Sequence, residues 1–174
     1  LDMSSELRVD RIIPTTGVPT GGGGGIIQIV EGSTDNRLET SSSTFVASNL
    51  SATITPKFAS SKIFIMTGGD TNTNDPGNNQ FLTYYRSINS GTFANIAPNG
   101  SNDSASANAN KGFVNVYGAN SRIHVPMFMG AIDSPNTLYS VEYKVYVRAD
   151  SGTVEFPSQN GYNAARIFLM EVSG

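Results

Sequence analysis

The chain has 174 residues, of which only 14% are charged, and its formal net charge is −3. This length suits one domain with an ordinary hydrophobic core, and the acidic balance, with no block of Lys or Arg, argues against a nucleic-acid partner. The absence of cysteine excludes disulfides and thiolate metal sites, and no apolar run approaches the roughly 20 residues of a membrane span, so we expect no membrane insertion.

The first predicted element is an extended arm with its junction, residues 1–25. Pro14 and Pro19 fix their own φ angles and push the preceding residues toward extended conformations, so no helix is expected here. Five consecutive glycines join the arm to an apolar run: Gly21, Gly22, Gly23, Gly24 and Gly25. These glycines fit either a flexible linker or backbones packed closely around a symmetry axis. Residues 26–174 are predicted to form a single folded head.

Period-two alternation dominates the head, and no window of a dozen residues has helical spacing. The clearest strand is Leu138–Arg148, whose odd-numbered residues from Tyr139 to Val147 form one apolar face. The strand Arg122–Met129 contains Pro126, which cannot donate to a ladder, so this strand is expected at an edge or a bulge. Further strands are predicted at Ile26–Glu31, Leu50–Thr55, Ser61–Thr67, Gln80–Asn89, Phe113–Tyr117, Gly152–Phe156 and Ala164–Val172.

Eight to ten strands without alternating helices predict an all-β fold, an antiparallel two-sheet sandwich of jelly-roll-like type behind the extended N-terminal arm. Two of these strands are apolar on both faces, and their second faces carry Phe64, Met66, Phe168 and Met170. A monomeric sandwich has no need to bury a second face, and large exposed apolar patches are uncommon in monomers. We therefore predict that these four side chains form an oligomer interface.

A search for chemistry in the sequence is mostly negative. His124 is the only histidine, no nucleophile-elbow or phosphate-loop sequence occurs, and the glycine run is followed by a strand and not a helix. In the segment after Gly69, Asp70, Asn72 and Asn74 repeat the oxygen spacing of a calcium loop. However, Asp75 stands where that loop requires glycine, so an Asx-rich turn is favoured over a metal site. We expect no catalytic residue, no cofactor and no metal, and hence no enzyme.

Two long polar segments, Thr67–Asn79 and Ala97–Lys111, are predicted as loops. They fit either simple linkers or a shallow surface on which amides and neighbouring aromatic rings bind cell-surface glycan. The candidate ligand residues are Asp70, Asn72, Asn74, Asp75, Tyr84, Asn99, Asn102 and Asp103, and the neighbouring aromatic side chains are Tyr85, Phe93, Tyr117 and Tyr162.

The segment from Glu6 to Val30 resembles the opening of tail-fibre-like virion proteins of marine tailed phages, the cyanophage type. The segments Leu50–Pro56, Ser60–Ile65, Ile132–Thr137 with Tyr143–Val145, and Ile167–Val172 are similar to later parts of proteins of the same group. The resemblance implies a virion protein, made in the host cytoplasm and released by lysis, that forms homotrimers and displays loops for host attachment. It further implies an arm that binds other virion proteins through residues such as Val9, Ile12, Pro14 and Pro19. The alternative is a capsid decoration protein that has no receptor-binding role.

Overall fold

The computed structural model of the protein describes residues 25–74, 76–97, 112–118, 123–158 and 163–173. The predicted arm and most of its glycine junction lie outside these residues, and only Gly25, which is exposed, is described. The candidate arm and junction residues outside the described part are Val9, Ile12, Pro14, Pro19, Gly21, Gly22, Gly23 and Gly24. Their predicted roles therefore stay predictions.

The described residues form strands connected by turns. In chain order the strands are β1 Ile26–Thr34, β2 Leu38–Thr40, β3 Val46–Ile54, β4 Lys62–Thr73, β5 Asn78–Ile88, β6 Ala94–Asn95, β7 Val114–Gly118, β8 Ile123–Asp133, β9 Val141–Ala149, β10 Val154–Phe156 and β11 Ala165–Val172. Nothing in the described ranges is a helix of the length and apolarity that crossing a membrane would require.

The strands form two antiparallel sheets. The first sheet has the order β1-β11-β4-β10-β2, and β8 also pairs with β4. The second sheet has the order β3-β9-β5-β6, and β7 also pairs with β5. From β3 to β5, and again from β8 to β10, the chain crosses from one sheet to the other at each connection. The predicted all-β sandwich is confirmed.

The core lies between the inner faces of the two sheets. Because side chains alternate between the two faces of a strand, every second side chain points into this core. Ile63 and Ile65 on β4 face the core with no exposed surface, as do Val145 and Val147 on β9. The alternate residues of the same strands point away from it. Fully burying an aliphatic side chain stabilises a fold by about 1.5–3 kcal/mol, so this alternation specifies which face of each strand turns inward.

The strands agree with one local sequence prediction and differ from two others. Pro126 lies in β8, which pairs only with β4 among the described strands, so the predicted edge position is confirmed. The predicted loop Thr67–Asn79 is wrong, because β4 continues to Thr73 and β5 begins at Asn78. Tyr139 does not share the buried face, because β9 starts only at Val141 and the Tyr139 side chain is 65% exposed.

Glu171 is a buried carboxylate that ties β11 to the turn before β4. It has no exposed surface, and its oxygens accept hydrogen bonds from Gln28 Nε2 at 2.6 Å and from the Lys57 backbone N–H at 2.7 Å. Burial alone would raise the pKa of this carboxyl, but the surrounding hydrogen-bond donors outweigh burial and hold its pKa below the ordinary value. The ionised form is therefore the stabilising one.

Glu171→Gln should make the stability of the protein less dependent on pH in the acid range. Because the folded-state pKa is lowered, the Glu171 carboxylate contributes stability above its unfolded pKa and loses it as pH falls through the folded value. Hydrogen bonds to charged groups contribute about 1.5–3 kcal/mol, so the variant should lose roughly that much at pH 7. Urea unfolding at pH 7 and pH 3 measures this, and a difference of equal size at both pH values would contradict it.

Candidate functional site

The predicted ligand loops are only partly described. Asp75, Asn99, Asn102 and Asp103 lie outside the described residues, as does Tyr162. The prediction for Tyr84 is wrong, because its ring has no exposed surface and its hydroxyl donates to the Met129 carbonyl at 2.9 Å. Burial raises the pKa of this phenol, which keeps it neutral in the core. Tyr84 cannot meet a ligand without the sandwich opening.

Asn72 and Asn74 bind a buried carboxylate within the protein. Glu155 on β10 is 2% exposed and accepts hydrogen bonds from Asn72 Nδ2 and Asn74 Nδ2, each at 3.1 Å. Arg37 approaches the same carboxylate with its Nη1 atom 3.0 Å from Oε1. We call Asn72, Asn74, Glu155 and Arg37 the Glu155 cluster. It holds the end of β4 against β10, so the predicted ligand role of Asn72 is wrong: its side chain is buried in this cluster.

Asp70 belongs to a second polar cluster with His124, Ser158 and Asn163. His124 Nδ1 lies 2.8 Å from Ser158 Oγ, the Ser158 hydroxyl also bonds Asp70, and Asn163 Nδ2 donates to Asp70 Oδ2 at 2.7 Å. In a Ser-His-Asp catalytic triad the carboxylate accepts a hydrogen bond from the histidine and orients it. Here the Asp70 carboxylate accepts a hydrogen bond from the Ser158 hydroxyl instead. Ser158 also has no exposed surface. This arrangement fastens the segment after β10 to β4 and does not activate a hydroxyl.

The outer face of the first sheet is apolar across four adjacent strands. In register, Ile29 on β1 lies beside Met170 on β11, Met170 beside Phe64 on β4, and Phe64 beside Ile132 on β8. The neighbouring row adds Phe168 beside Met66. We define the apolar face as Ile26, Ile29, Phe64, Met66, Phe128, Ile132, Phe168 and Met170.

The four residues predicted for an oligomer interface all lie on this apolar face. Phe64, Met66, Phe168 and Met170 are half-buried, while Ile63, Ile65, Ile167 and Leu169 on the other side of the same strands are fully buried. The predicted two-sided apolar strands are therefore present. Their role as an interface remains a prediction.

The outer face of the second sheet carries a group of aromatic rings. Tyr85 on β5 and Tyr146 on β9 stack with centroids 3.9 Å apart at an interplanar angle of 19°. Phe93 lies 6.0 Å from Tyr146, and Phe45 lies 6.1 Å from Tyr85. We define the aromatic cluster as Phe45, Phe81, Tyr85, Phe93 and Tyr146, all half-buried. Leu82 and Val145 on the same two strands turn the other way, into the core.

Two cations lie over these rings. The Arg148 guanidinium is 3.8 Å from the centroid of Phe81 and 5.6 Å from that of Phe45, and Lys144 Nζ is 5.0 Å from the centroid of Phe93. Such contacts stabilise by about 0.5–1 kcal/mol where exposed. Each cation also has an acidic neighbour, Asp150 at 2.9 Å from Arg148 and Glu142 at 3.1 Å from Lys144. The two cations are therefore each paired with one carboxylate, and these four side chains carry no net charge.

The two stacked phenols remain neutral at physiological pH. Burial raises the pKa of Tyr85, and burial together with the neighbouring Tyr85 and Glu142 raises the pKa of Tyr146. A neutral phenol can both donate and accept a hydrogen bond, which suits a ligand that carries hydroxyl groups. Sequence analysis had identified Tyr85 and Phe93 but missed Phe45, Phe81 and Tyr146. The alternation within β9 was the available signal, because it places Tyr146 on the same outer face as Lys144 and Arg148.

Among the described residues no group of three or more His, Asp or Glu side chains could hold a metal ion. No protein-family model matches the chain, and a search of curated proteins finds no match.

Proposed function

We propose that this chain is a structural protein of a tailed-phage virion whose sandwich head binds glycans on the host surface. The resemblance of the segment from Glu6 to Val30 to tail-fibre-like proteins supports the virion role. In this proposal the arm binds a neighbouring virion protein and the head is displayed outward. The observation that carries the glycan part is the aromatic cluster on the outer face of the second sheet.

Aromatic rings at a polar protein surface suit saccharides for a physical reason. A pyranose ring presents C–H groups on its faces, which pack on apolar rings, and hydroxyl groups at its rim, which need hydrogen-bond partners. The aromatic cluster offers both kinds of contact. Its phenyl rings are apolar, and polar groups adjoin them: Lys144 Nζ lies 5.0 Å from the Phe93 centroid, and Asn95, whose Oδ1 accepts a hydrogen bond from Thr83 Oγ1, pairs with Tyr85 on the neighbouring strand.

The charges around the aromatic cluster indicate which class of glycan it would bind. Arg148 and Lys144 each have a carboxylate within 3.1 Å, so little net positive charge remains to attract a polyanion. The whole chain is also acidic, with a formal net charge of −3. A neutral or weakly charged hexose polymer fits this surface better than a highly anionic one.

Binding to host cells tests the glycan proposal. The labelled full chain should bind at least one marine bacterial strain from a panel, and purified surface polysaccharide of that strain should compete. Tyr85→Ala and Tyr146→Ala should each weaken binding roughly tenfold, because an aromatic contact contributes about 0.5–1.5 kcal/mol beyond its area. Tyr139→Ala is the matched control, because Tyr139 is 65% exposed and lies outside the aromatic cluster.

Two results would contradict the proposal. One is binding to no strain by the wild-type chain. The other is equal binding by the cluster variants, provided that their melting curves show them to be folded. Either result would mean that the aromatic cluster only packs the protein surface around Tyr85 and Tyr146 and does not bind glycan.

A capsid decoration protein is the second candidate, and the apolar face favours it, because a protein that packs into a shell needs an extensive contact surface. Cryo-electron microscopy of the phage that encodes this chain separates the two. Density at the tail or its fibres would support attachment, whereas density on the icosahedral lattice would support decoration.

A further inference from the structure

The apolar face collects several of the exposed large hydrophobic side chains among the described residues. On its outer strands Ile29 is 59% exposed and Ile132 is 68% exposed, and Phe128 on β8 is 64% exposed. Ile26, at the start of β1, is 56% exposed. Between these side chains lie the half-buried Phe and Met residues of β4 and β11, so the apolar surface continues from one edge of the four-stranded region to the other.

The size of the face fits a protein interface. Four strands about 4.8 Å apart, followed over about seven residues of about 3.3 Å each, cover roughly 400 Å² in projection. Apolar patches of this size on a protein surface are often functional contact sites. A stable interface buries about 800 Å² of accessible surface on each partner, including a polar rim, so this face has the size of the apolar centre of such an interface.

The rim carries charges of both signs. Glu31 and Arg166 form an ion pair at 2.6 Å at one margin, and both side chains remain partly exposed. Lys62 is exposed at another margin, beside the apolar residues of β4. A surface with an apolar centre and both charges at its rim can be complementary to a copy of itself, because Arg166 and Glu31 are still 59% and 42% exposed within their own ion pair and can also meet opposite charges on the copy.

We infer that further copies of this chain cover the apolar face, so that the protein self-associates through the outer face of its first sheet. The inference does not depend on glycan binding.

The mass of the full chain in solution tests this inference. Light scattering after size exclusion, at tens of micromolar, should give a multiple of 18.4 kDa. The double variant Ile29→Lys with Ile132→Lys should elute as a monomer. Its dissociation constant should rise at least about 100-fold, because two unpaired charges would have to be desolvated within the apolar contact. Both side chains are more than half exposed, so the fold itself should tolerate the change.

The matched control is Leu138→Lys with Tyr139→Lys. These side chains are 60% and 65% exposed but lie between β8 and β9, outside the apolar face, so the oligomer should persist. A monomeric wild-type chain, or an oligomer unaffected by the Ile29 and Ile132 changes, would overturn the inference. If deletion of residues 1–20 turned a monomeric chain into an oligomer, the arm would be the occupant of the face and the inference would also fail.

Discussion

Glu155→Ala is expected to lower the melting temperature by roughly 6–12 °C, which corresponds to about 3 kcal/mol for a chain of this size. The Glu155 carboxylate is 2% exposed, and its removal takes an acceptor away from Asn72 Nδ2, which keeps only Asn74 Oδ1, and from Asn74 Nδ2. Breaking a buried charged pair costs about 3–5 kcal/mol. The lower end applies here, because Arg37 is 36% exposed and can turn toward water.

Glu39→Ala is the control for this experiment. Glu39 also forms an ion pair with Arg37, at 2.9 Å, but its side chain is 47% exposed. Exposed ion pairs contribute about 0–1 kcal/mol, so this change should leave the melting temperature within a few degrees of the wild type. Calorimetry of both variants gives the comparison. Equal losses would contradict the prediction, because Glu39→Ala removes an exposed ion pair and leaves the hydrogen bonds of Glu155 to Asn72 and Asn74 in place.

Much of the fold could be predicted because the strands alternate with a period of two. All nine predicted strands exist, since a face buried against the core requires an apolar residue at every second position. The short strands β2 and β6 were missed, because three or two residues carry no measurable period. The polar end of β4 was also missed. Thr71 and Asn72 are buried there without being apolar, because both donate hydrogen bonds to Glu155.

The two candidate surfaces differ in how far the sequence could reveal them. The apolar face was partly predictable, because Phe64 and Met66 break the alternation of one strand, and Phe168 and Met170 break that of another. Its outer members, Ile29 and Ile132, could not be assigned, because only the register of β1 and β8 places them beside those residues. The aromatic cluster was less predictable still. Its rings come from distant segments that only the pairing of β5 with β9 and the adjacent loops bring together.

The two outer faces offer different chemistry on one sandwich. The first sheet presents aliphatic, Met and Phe side chains, which lack hydrogen-bonding groups and suit contact with another protein surface. The second sheet presents aromatic rings interleaved with phenols and cations, which suit a hydroxylated ligand. If copies associate through the apolar face, each one still displays its aromatic cluster. Several weak glycan sites on one particle would then act together, and avidity can multiply affinity by about 10² to 10⁴.

Gly32→Ala is expected to destabilise the protein by about 3 kcal/mol or more, and it tests how the edge of the sandwich closes. Gly32 on β1 pairs with Ile167 on β11, and a Cβ atom at this position would lie 2.0 Å from the backbone oxygen of Ser51 on β3. A backbone atom cannot move aside as the end of a flexible side chain can. Inserting a methyl group into a filled space costs about 1–3 kcal/mol and occasionally more, so we expect the upper end of this range.

Gly68→Ala provides the matched comparison, because it makes the same chemical change in a strand of the same sheet. A Cβ atom at Gly68 would meet nothing within 4 Å. That change should be neutral or should stabilise the protein by about 0.4–1 kcal/mol, because alanine restricts the unfolded chain more than glycine does. Chemical denaturation of the two variants measures the difference. If Gly32→Ala were as stable as Gly68→Ala, β1 and β3 would not approach each other as closely as described, and the sandwich would be open at this edge.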